Sequence, residues 1–411
     1  MKAAARILQR LDALAACTEY PGEITRRFLT PAHAQAVALV RGWMDEAGLA
    51  TELDAAGTLV GVLPGATADS PRLLLGSHID SVRDAGRFDG CLGVAIGIEA
   101  AVSLRDCTLP YALEIRAFGD EEGVRFPVTL TGAHAAAGRF RPDALDARDE
   151  DGVSLRHALE IFGLDPAALL AGACTARRAI AYIEVHIEQG PVLEAADSPL
   201  GIVTAISGAA RFAVSVTGRA GHAGTVPMAG RQDALVAAGA MIVAMRDLAR
   251  AMPHVVATVG TISVSPGAVN VIPGACKFTI DLRSPNDAAR ENAALAISDA
   301  LHRVAEAESV MVSMTKTYEA VATKCDDRLQ SHLARALVGR NLPLVYLPSG
   351  AGHDAMAVAA LCPVAMLFVR CAGGISHHPD EHVAEDDIAA ALDVLIAALK
   401  NFSPSILETS P

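Results

Sequence analysis

Short apolar runs of strand length alternate with amphipathic helical stretches through the first half of the chain, and this confines it to an α/β architecture with some parallel strand pairs. Ala36, Val37, Leu39, Val40 and Trp43 mark one side of a helix over 31–49. Residues 51–54 and 58–63 read as a hairpin turning at Ala56-Gly57, followed by a buried strand at Leu73-Leu74-Leu75 and a helix over 93–104. Further strands are expected at 111–118, 180–187 and 201–206.

The pattern changes at Ser207-Gly208. Residues 211–217 alternate as a half-exposed strand does, and helices over 233–248 and 287–305 are interleaved with strands at 255–264, 277–282 and 310–316. This β-α-β-β-α-β order is ferredoxin-like and suits an antiparallel sheet with helices on one face. After Glu319 the first style returns, with a helix over 328–338, strands at 344–346 and 364–369, a closing helix over 386–399, and a loose tail over 403–411. The expected organisation is a discontinuous α/β domain with a mixed sheet (1–207 and 320–411) interrupted by an α+β domain (208–319). A chain of 411 residues has room for both.

Composition narrows the function. Apolar residues make up 52% and charged residues 20%, which argues against disorder. A net charge of −13 and 4% aromatics exclude a nucleic-acid platform. No stretch is long and apolar enough to span a membrane, and the N-terminal apolar residues Ile7, Leu8, Leu11 and Leu14 follow helical spacing instead of forming a secretory core. The eight scattered cysteines contain no Cys-x-x-Cys pair and read as reduced thiols of a cytoplasmic protein. Cys91 and Cys371 lie beside the motifs described next, so a thiol nucleophile has to be weighed.

Ligand-type residues concentrate where the strands end. His78 and Asp80 close the run Leu73-Leu74-Leu75-Gly76-Ser77-His78-Ile79-Asp80, and residues two apart on a strand share a face. Asp89 follows in Phe88-Asp89-Gly90, Glu121-Glu122 follow the 111–118 strand, His186 ends the 180–187 strand, and His377 follows the 364–369 strand. The carboxyl edge of such a sheet is where open α/β folds build their sites. Three histidines with three or four carboxylates exceed the needs of one ion and suit two divalent ions bridged by one carboxylate. Zn, Mn, Co and Ni all accept this donor set. The remaining glutamate of Glu121-Glu122 is placed to act as general base.

The ordered motifs Gly-Ser-His-Ile-Asp-Ser, Phe-Asp-Gly, Glu-Glu-Gly-Val-Arg-Phe, His-Ile-Glu-Gln-Gly, Gly-His-Ala-Gly-Thr-Val-Pro-Met and Ile-Ser-His-His-Pro resemble the M20 metallopeptidase superfamily, in its hydantoinase/carbamoylase amidase branch. The resemblance runs from about residue 70 to 385. It implies His78, Asp89, Glu122, His186 and His377 as metal ligands with Asp89 bridging, Asp80 as the acid behind His78, and Glu121 as general base and proton shuttle. It further implies that His222 reaches the site of a partner subunit and polarises the scissile carbonyl, and that the chain dimerises through the inserted domain, which also acts as a lid. Gln189, Asn270, Arg283, Gly373 and Gly374 match substrate-binding positions, with Arg283 gripping a carboxylate. The implied reaction is hydrolysis of a linear C–N amide of a small ureido acid, foremost an N-carbamoyl-L-amino acid. Allantoate is the nearest alternative substrate. Dipeptidase or aminoacylase activity, and a non-catalytic binding protein of this fold, are further alternatives.

Some positions depart from the family pattern. Arg231-Gln232-Asp233 has one arginine where two are common, and so has Ala209-Ala210-Arg211; His378 and Arg87 stand where smaller or neutral residues are usual. These changes spare the ligands and bear on substrate choice, and fewer arginines disfavour a highly polar diureido acid. Several residues keep two readings. Glu184 and Glu188 share the His186 face by period and are either ligand supports or solvated edge acids. Glu381 is either a ligand-orienting acid or an exposed loop acid. His353 is either near the site or structural, and Arg283 has an ordinary ion pair with Asp281 or Asp287 as its alternative. Arg125 is expected to brace the acidic loop.

Overall fold

The computed structural model describes residues 2–408 and divides into two compact units, one of residues 2–204 and 325–408 and the other of Ala205–Lys324.

In the first unit the sheet runs in the order Ala50–Leu53, Leu59–Leu63, Ala112–Phe118, Arg72–His78, Ala179–Ile187, Val364–Val369, Leu200–Ile206, with Tyr346–Ser349 beside the last. The four strands Ala112–Phe118, Arg72–His78, Ala179–Ile187 and Val364–Val369 are parallel, and the outer pairings are antiparallel. The register sets His78 opposite Phe118 and Phe368 opposite His186, so the parallel strands end nearly level. Ala112–Phe118 and Val364–Val369 are buried throughout, which is why they read as unbroken apolar runs. The helix Cys91–Leu104 is buried almost all round, and Ala3–Ala15 and Glu385–Asn401 pack against it through Ile7, Leu11, Ile388 and Leu395.

The second unit has an antiparallel sheet in the order Ile262–Ser265, Ala275–Ser284, Gly208–Thr217, Met311–Ala320. The helices Ala234–Ala251 and Asp287–Ala307 cover one face, burying Phe212, Val214, Val216, Phe278 and Ile280. Asp233 and Asn286 cap the two helices by accepting from backbone N–H groups of the first turn. A two-stranded ribbon, Gly221–His222 with Val271–Ile272, stands apart from that sheet.

Three expectations change. The strand expected over 255–264 is two strands, Val256–Thr258 and Ile262–Ser265, both on Ala275–Ser284. At the interruption the Thr279 hydroxyl accepts the Thr261 N–H at 3.2 Å. The strand expected at 344–346 lies instead at Tyr346–Ser349, where Pro348 is tolerated at the sheet margin. The tail expected to be loose forms a turn of 3₁₀ helix, Pro404–Leu407, because Ile406 and Leu407 pack on the core and Arg328 donates to the Leu407 carbonyl. Residues 409–411 of that tail lie outside the described residues.

Candidate metal centre

The level ends of the parallel strands bring five ligand-type side chains together in the first unit. His78 and His186 are the terminal and penultimate buried positions of their strands. Asp89 lies just before the helix Cys91–Leu104, Glu122 lies in the loop after Ala112–Phe118, and His377 lies in the loop after Val364–Val369. Among the described residues four groups of ligand-type atoms lie close enough together to hold an ion: His78, Asp89 and His186; Asp89, Glu122 and His377; His78, Glu121 and Glu122; and Glu184, His186 and His353; the first two triads share Asp89.

Asp89 is common to both and divides its oxygens between them. Its Oδ1 lies 3.1 Å from His186 Nε2 and 3.4 Å from His78 Nε2, and its Oδ2 lies 3.2 Å from His377 Nε2. Glu122 Oε2 stands 3.7 Å from the same His377 nitrogen. The other ring nitrogens are occupied, His78 Nδ1 by the Asp80 carbonyl at 3.0 Å and His186 Nδ1 by the Ile187 carbonyl at 2.9 Å, which turns both Nε2 atoms inward. Gly90, in the left-handed region at φ 63°, allows the backbone to lie against the His78 ring: a Cβ there would be 2.5 Å from three ring atoms. Gln189 and His377 also hold positive φ, at 57° and 55°, a strained conformation for non-glycine residues and one that clusters at functional sites.

Asp80 supports the site more broadly than by backing His78. Its carboxylate is 3.7 Å from His78 Nδ1 and accepts the N–H of Glu121 and of Glu122, each at 3.2 Å, so it fixes the acidic loop. Glu121 Oε2 is 4.0 Å from His78 Nε2. Arg125 braces the loop from behind by donating to the Phe28 and Leu29 carbonyls and to Asp149.

The electrostatics of the cluster suit cations. Burial, reinforced by Glu122, Asp354 and Asp80, pushes the Glu121 carboxyl well above the usual range despite His78. Burial and Asp89 push Glu122 up to about 7. Burial also pushes Asp89 up, yet the close imidazoles of His186, His377 and His78 more than reverse this and hold it well below the usual range. The Asp89 hydrogen bond raises His377 to about 9. Among the described residues the only ion-pair partners of Asp80, Asp89, Glu121 and Glu122 are imidazoles. His186 Nε2, Glu122 Oε1 and Gln189 Oε1 are buried without a well-formed hydrogen bond. The Ser376 hydroxyl lies 2.9 Å from both Asp89 Oδ2 and Glu381 Oε2 and has one proton for the two. Too many acceptors, too few donors and an all-N/O donor set fit divalent cations at both triads.

The other expected site residues are distributed as follows. Gln189 donates to Asp89 Oδ2 at 2.8 Å and stands 3.4 Å from His377 Nε2, so it joins the centre itself. The Gly373 and Gly374 amides are engaged by Glu194 and the Cys371 carbonyl. In the second unit, His222 is exposed, its Nδ1 accepts the Gly224 N–H at 3.1 Å, and the Asn270 carbonyl accepts the Ala223 N–H. Arg283 is paired with Asp281 at 2.7 Å. His353 is buried with its Nε2 on Ser349 Oγ at 2.7 Å and its ring 4.5 Å from that of His186, a structural backing. Glu184, also buried, accepts from Ser77, Tyr182 and the Ala355 N–H, whereas Glu188 caps the short helix Val192–Ala195. His378 is an exposed loop residue. A thiol nucleophile does not fit: burial raises the Cys91 thiol, which lies against Arg26, and raises Cys371 to about 11. Ser376 was not singled out by sequence, although it directly precedes His377.

The fold and this donor set fit the class of metal-dependent hydrolases. The family described as peptidase family M20/M25/M40 matches residues 74–401. Allantoate deiminase 2 of Glycine max is 39% identical over 96% of this chain and 88% of its own. The N-carbamoyl-L-amino acid amidohydrolase of Geobacillus stearothermophilus is 38% identical over 95% of this chain and 96% of its own. A hydantoinase/carbamoylase family amidase from Burkholderia multivorans superposes with a TM-score of 0.90 at 32% identity, covering 96% of this chain and 97% of that one. The chain belongs to the M20/M25/M40 family, in its hydantoinase/carbamoylase amidase branch. Among the described residues no helix is long and apolar enough to cross a membrane.

Proposed function

We propose that the chain hydrolyses N-carbamoyl-L-amino acids to the amino acid, carbon dioxide and ammonia, with one water consumed. The observation that carries this is the pair of ligand triads sharing Asp89, with Glu121 beside them. His78, Asp89 and His186 would hold one divalent ion, and Asp89, Glu122 and His377 would hold the other. When bound, two such ions acidify a water and polarise a carbonyl. Glu121 takes the proton of the attacking water and delivers it to the leaving nitrogen. Asp80 keeps Glu121 aimed through its backbone N–H. His222, from a second copy of the chain, donates to the carbonyl oxygen as negative charge develops there. Asn270 and Arg283 meet the substrate carboxylate, with Asp281 fixing the guanidinium, and Gln189 and the Gly373-Gly374 turn border the substrate.

The second unit serves as dimerisation and lid domain. Exposed apolar side chains on it, among them Val236, Val243, Leu295 and Met311, support the pairing. Mass measurement in solution finding a monomer would contradict it. Eight free cysteines, seven of them buried, suit a reducing cytoplasmic setting.

The direct test of the chemistry is Glu121→Gln. This variant retains both ions and loses turnover by about 10²–10⁴-fold; near-wild-type kcat removes Glu121 from its role. Allantoate is the second reading, favoured by the 39% identity to the soybean allantoate deiminase. Ammonia release from both substrates side by side separates the two.

A further inference from the structure

Glu381 stands outside both ligand triads, in the loop that presents His377, and is only 5% exposed. Its Oε1 accepts two successive backbone N–H groups, of Phe88 at 2.8 Å and of Asp89 at 3.1 Å. Its Oε2 lies 2.9 Å from the Ser376 hydroxyl, which stands equally close to Asp89 Oδ2. The ends of the loop are tied by the Ala372 N–H to the His382 carbonyl at 2.8 Å. Residue 86 leaves just enough room, since a Cβ on Gly86 would lie 2.3 Å from Glu381 Cβ.

We propose that Glu381 is a positioning residue for the metal centre: one carboxylate fixes the backbone of the shared ligand Asp89 and, through Ser376, the loop that carries His377. It thereby sets the spacing of the Asp89, Glu122 and His377 triad. The inference rests on the two-ion reading given above.

The two triads depend on this clamp unequally. His78 and His186 are held by strand ends and by carbonyls on their Nδ1 atoms. His377 is half-exposed, sits at a strained positive φ, and is carried by a loop with no strand pairing of its own. Two of the three ligands in its triad, Asp89 and His377, lie on segments that Glu381 ties together. A buried acid that merely stabilised the fold would affect both ions alike.

The test is a metal titration of the metal-free full chain, read by the Co²⁺ absorption spectrum and by equilibrium dialysis. Glu381→Ala weakens one of the two ions by about 10–100-fold, the range for outer-shell supports, and leaves the other within about threefold. Glu381→Gln restores the lost ion, because its amide oxygen still accepts both backbone N–H groups and its NH₂ donates to Ser376. Ser376→Ala, at a half-buried position, keeps the test when Glu381→Ala does not fold, and weakens the same ion. Unchanged affinities, or equal loss of both ions, overturn the positioning role while leaving the two-ion reading intact. Failure of the wild-type chain to bind two ions overturns both.

Discussion

Replacing Gly90 by alanine separates backbone strain from damage to the ligand field. Residue 90 holds φ 63° and ψ −50°, a conformation open to glycine and unfavourable to any residue with a Cβ. The new methyl would also meet the face of the His78 ring at 2.5 Å from three atoms, about 1 Å inside normal carbon–carbon contact. The ring is closely held, with the Asp80 carbonyl 3.0 Å from Nδ1 and Asp89 Oδ1 3.4 Å from Nε2, so relief requires the ligand itself to move. Metal–ligand distances tolerate shifts of about 0.2 Å. Gly163→Ala is the control for a positive φ without crowding, with φ 86° and nothing within 4 Å of the added Cβ. Urea unfolding of the metal-free proteins is expected to show Gly90→Ala less stable than Gly163→Ala by about 1–3 kcal/mol, the usual cost of overpacking. Metal titration is expected to show at least a tenfold loss, roughly, for Gly90→Ala and none for the control. Equal stability and equal metal affinity in the two variants would refute the claimed contact between Gly90 and the His78 ring.

Further outcomes follow from other buried groups. His33 is fully buried against Phe28, and burial pushes its pKa from 6.5 down to about 3. As pH falls through 6.5 the unfolded chain takes up a proton that the folded chain refuses. His33 therefore supports stability above 6.5 and loses about 1 kcal/mol per pH unit toward 3; His33→Phe should show a shallower acid slope in urea unfolding at pH 5.5–7.5, and an identical slope would contradict the burial effect. Arg26 donates to the Leu14, Cys17 and Ile79 carbonyls inside the core. Arg26→Met, which strands those acceptors, should cost about 3–5 kcal/mol in the same assay; a loss below 1 kcal/mol speaks against it. Chelation should lower the unfolding free energy of the metal-loaded protein by about 3–4 kcal/mol where the free ion had stood at 100–1,000 times its dissociation constant, and no shift would show that the ions do not bind the folded chain.

Much of the site was legible because it follows from strand periodicity and strand ends. His78 and His186 close apolar runs whose continuous burial marks parallel strands, and the two-residue period put Glu184 on the same face as His186. Whether Glu184 and Glu188 supported the ligands was not legible, since that depends on what lies across the sheet. Glu184 meets Ser77 and Ala355, distant in sequence, whereas Glu188 caps a four-residue helix. Glu381 was equally ambiguous, because its partners Phe88 and Asp89 lie almost three hundred residues away along the chain. Among elements, the short helices Leu155–Ile161 and Pro166–Leu170 escaped notice, although Ser154 and Asp165-Pro166 are cap signals. At five to seven residues they are too short to show a period.

The central claim is that two ions on the triads sharing Asp89, with Glu121 beside them, hydrolyse a ureido acid. Its most direct test is ammonia release from N-carbamoyl-L-amino acids while the metal-free chain is titrated with Mn²⁺, Co²⁺, Ni²⁺ or Zn²⁺. The account predicts negligible release without metal and a plateau at two ions per chain. Full activity without metal, or two bound ions with no ammonia from any N-carbamoyl-L-amino acid or allantoate, would contradict it.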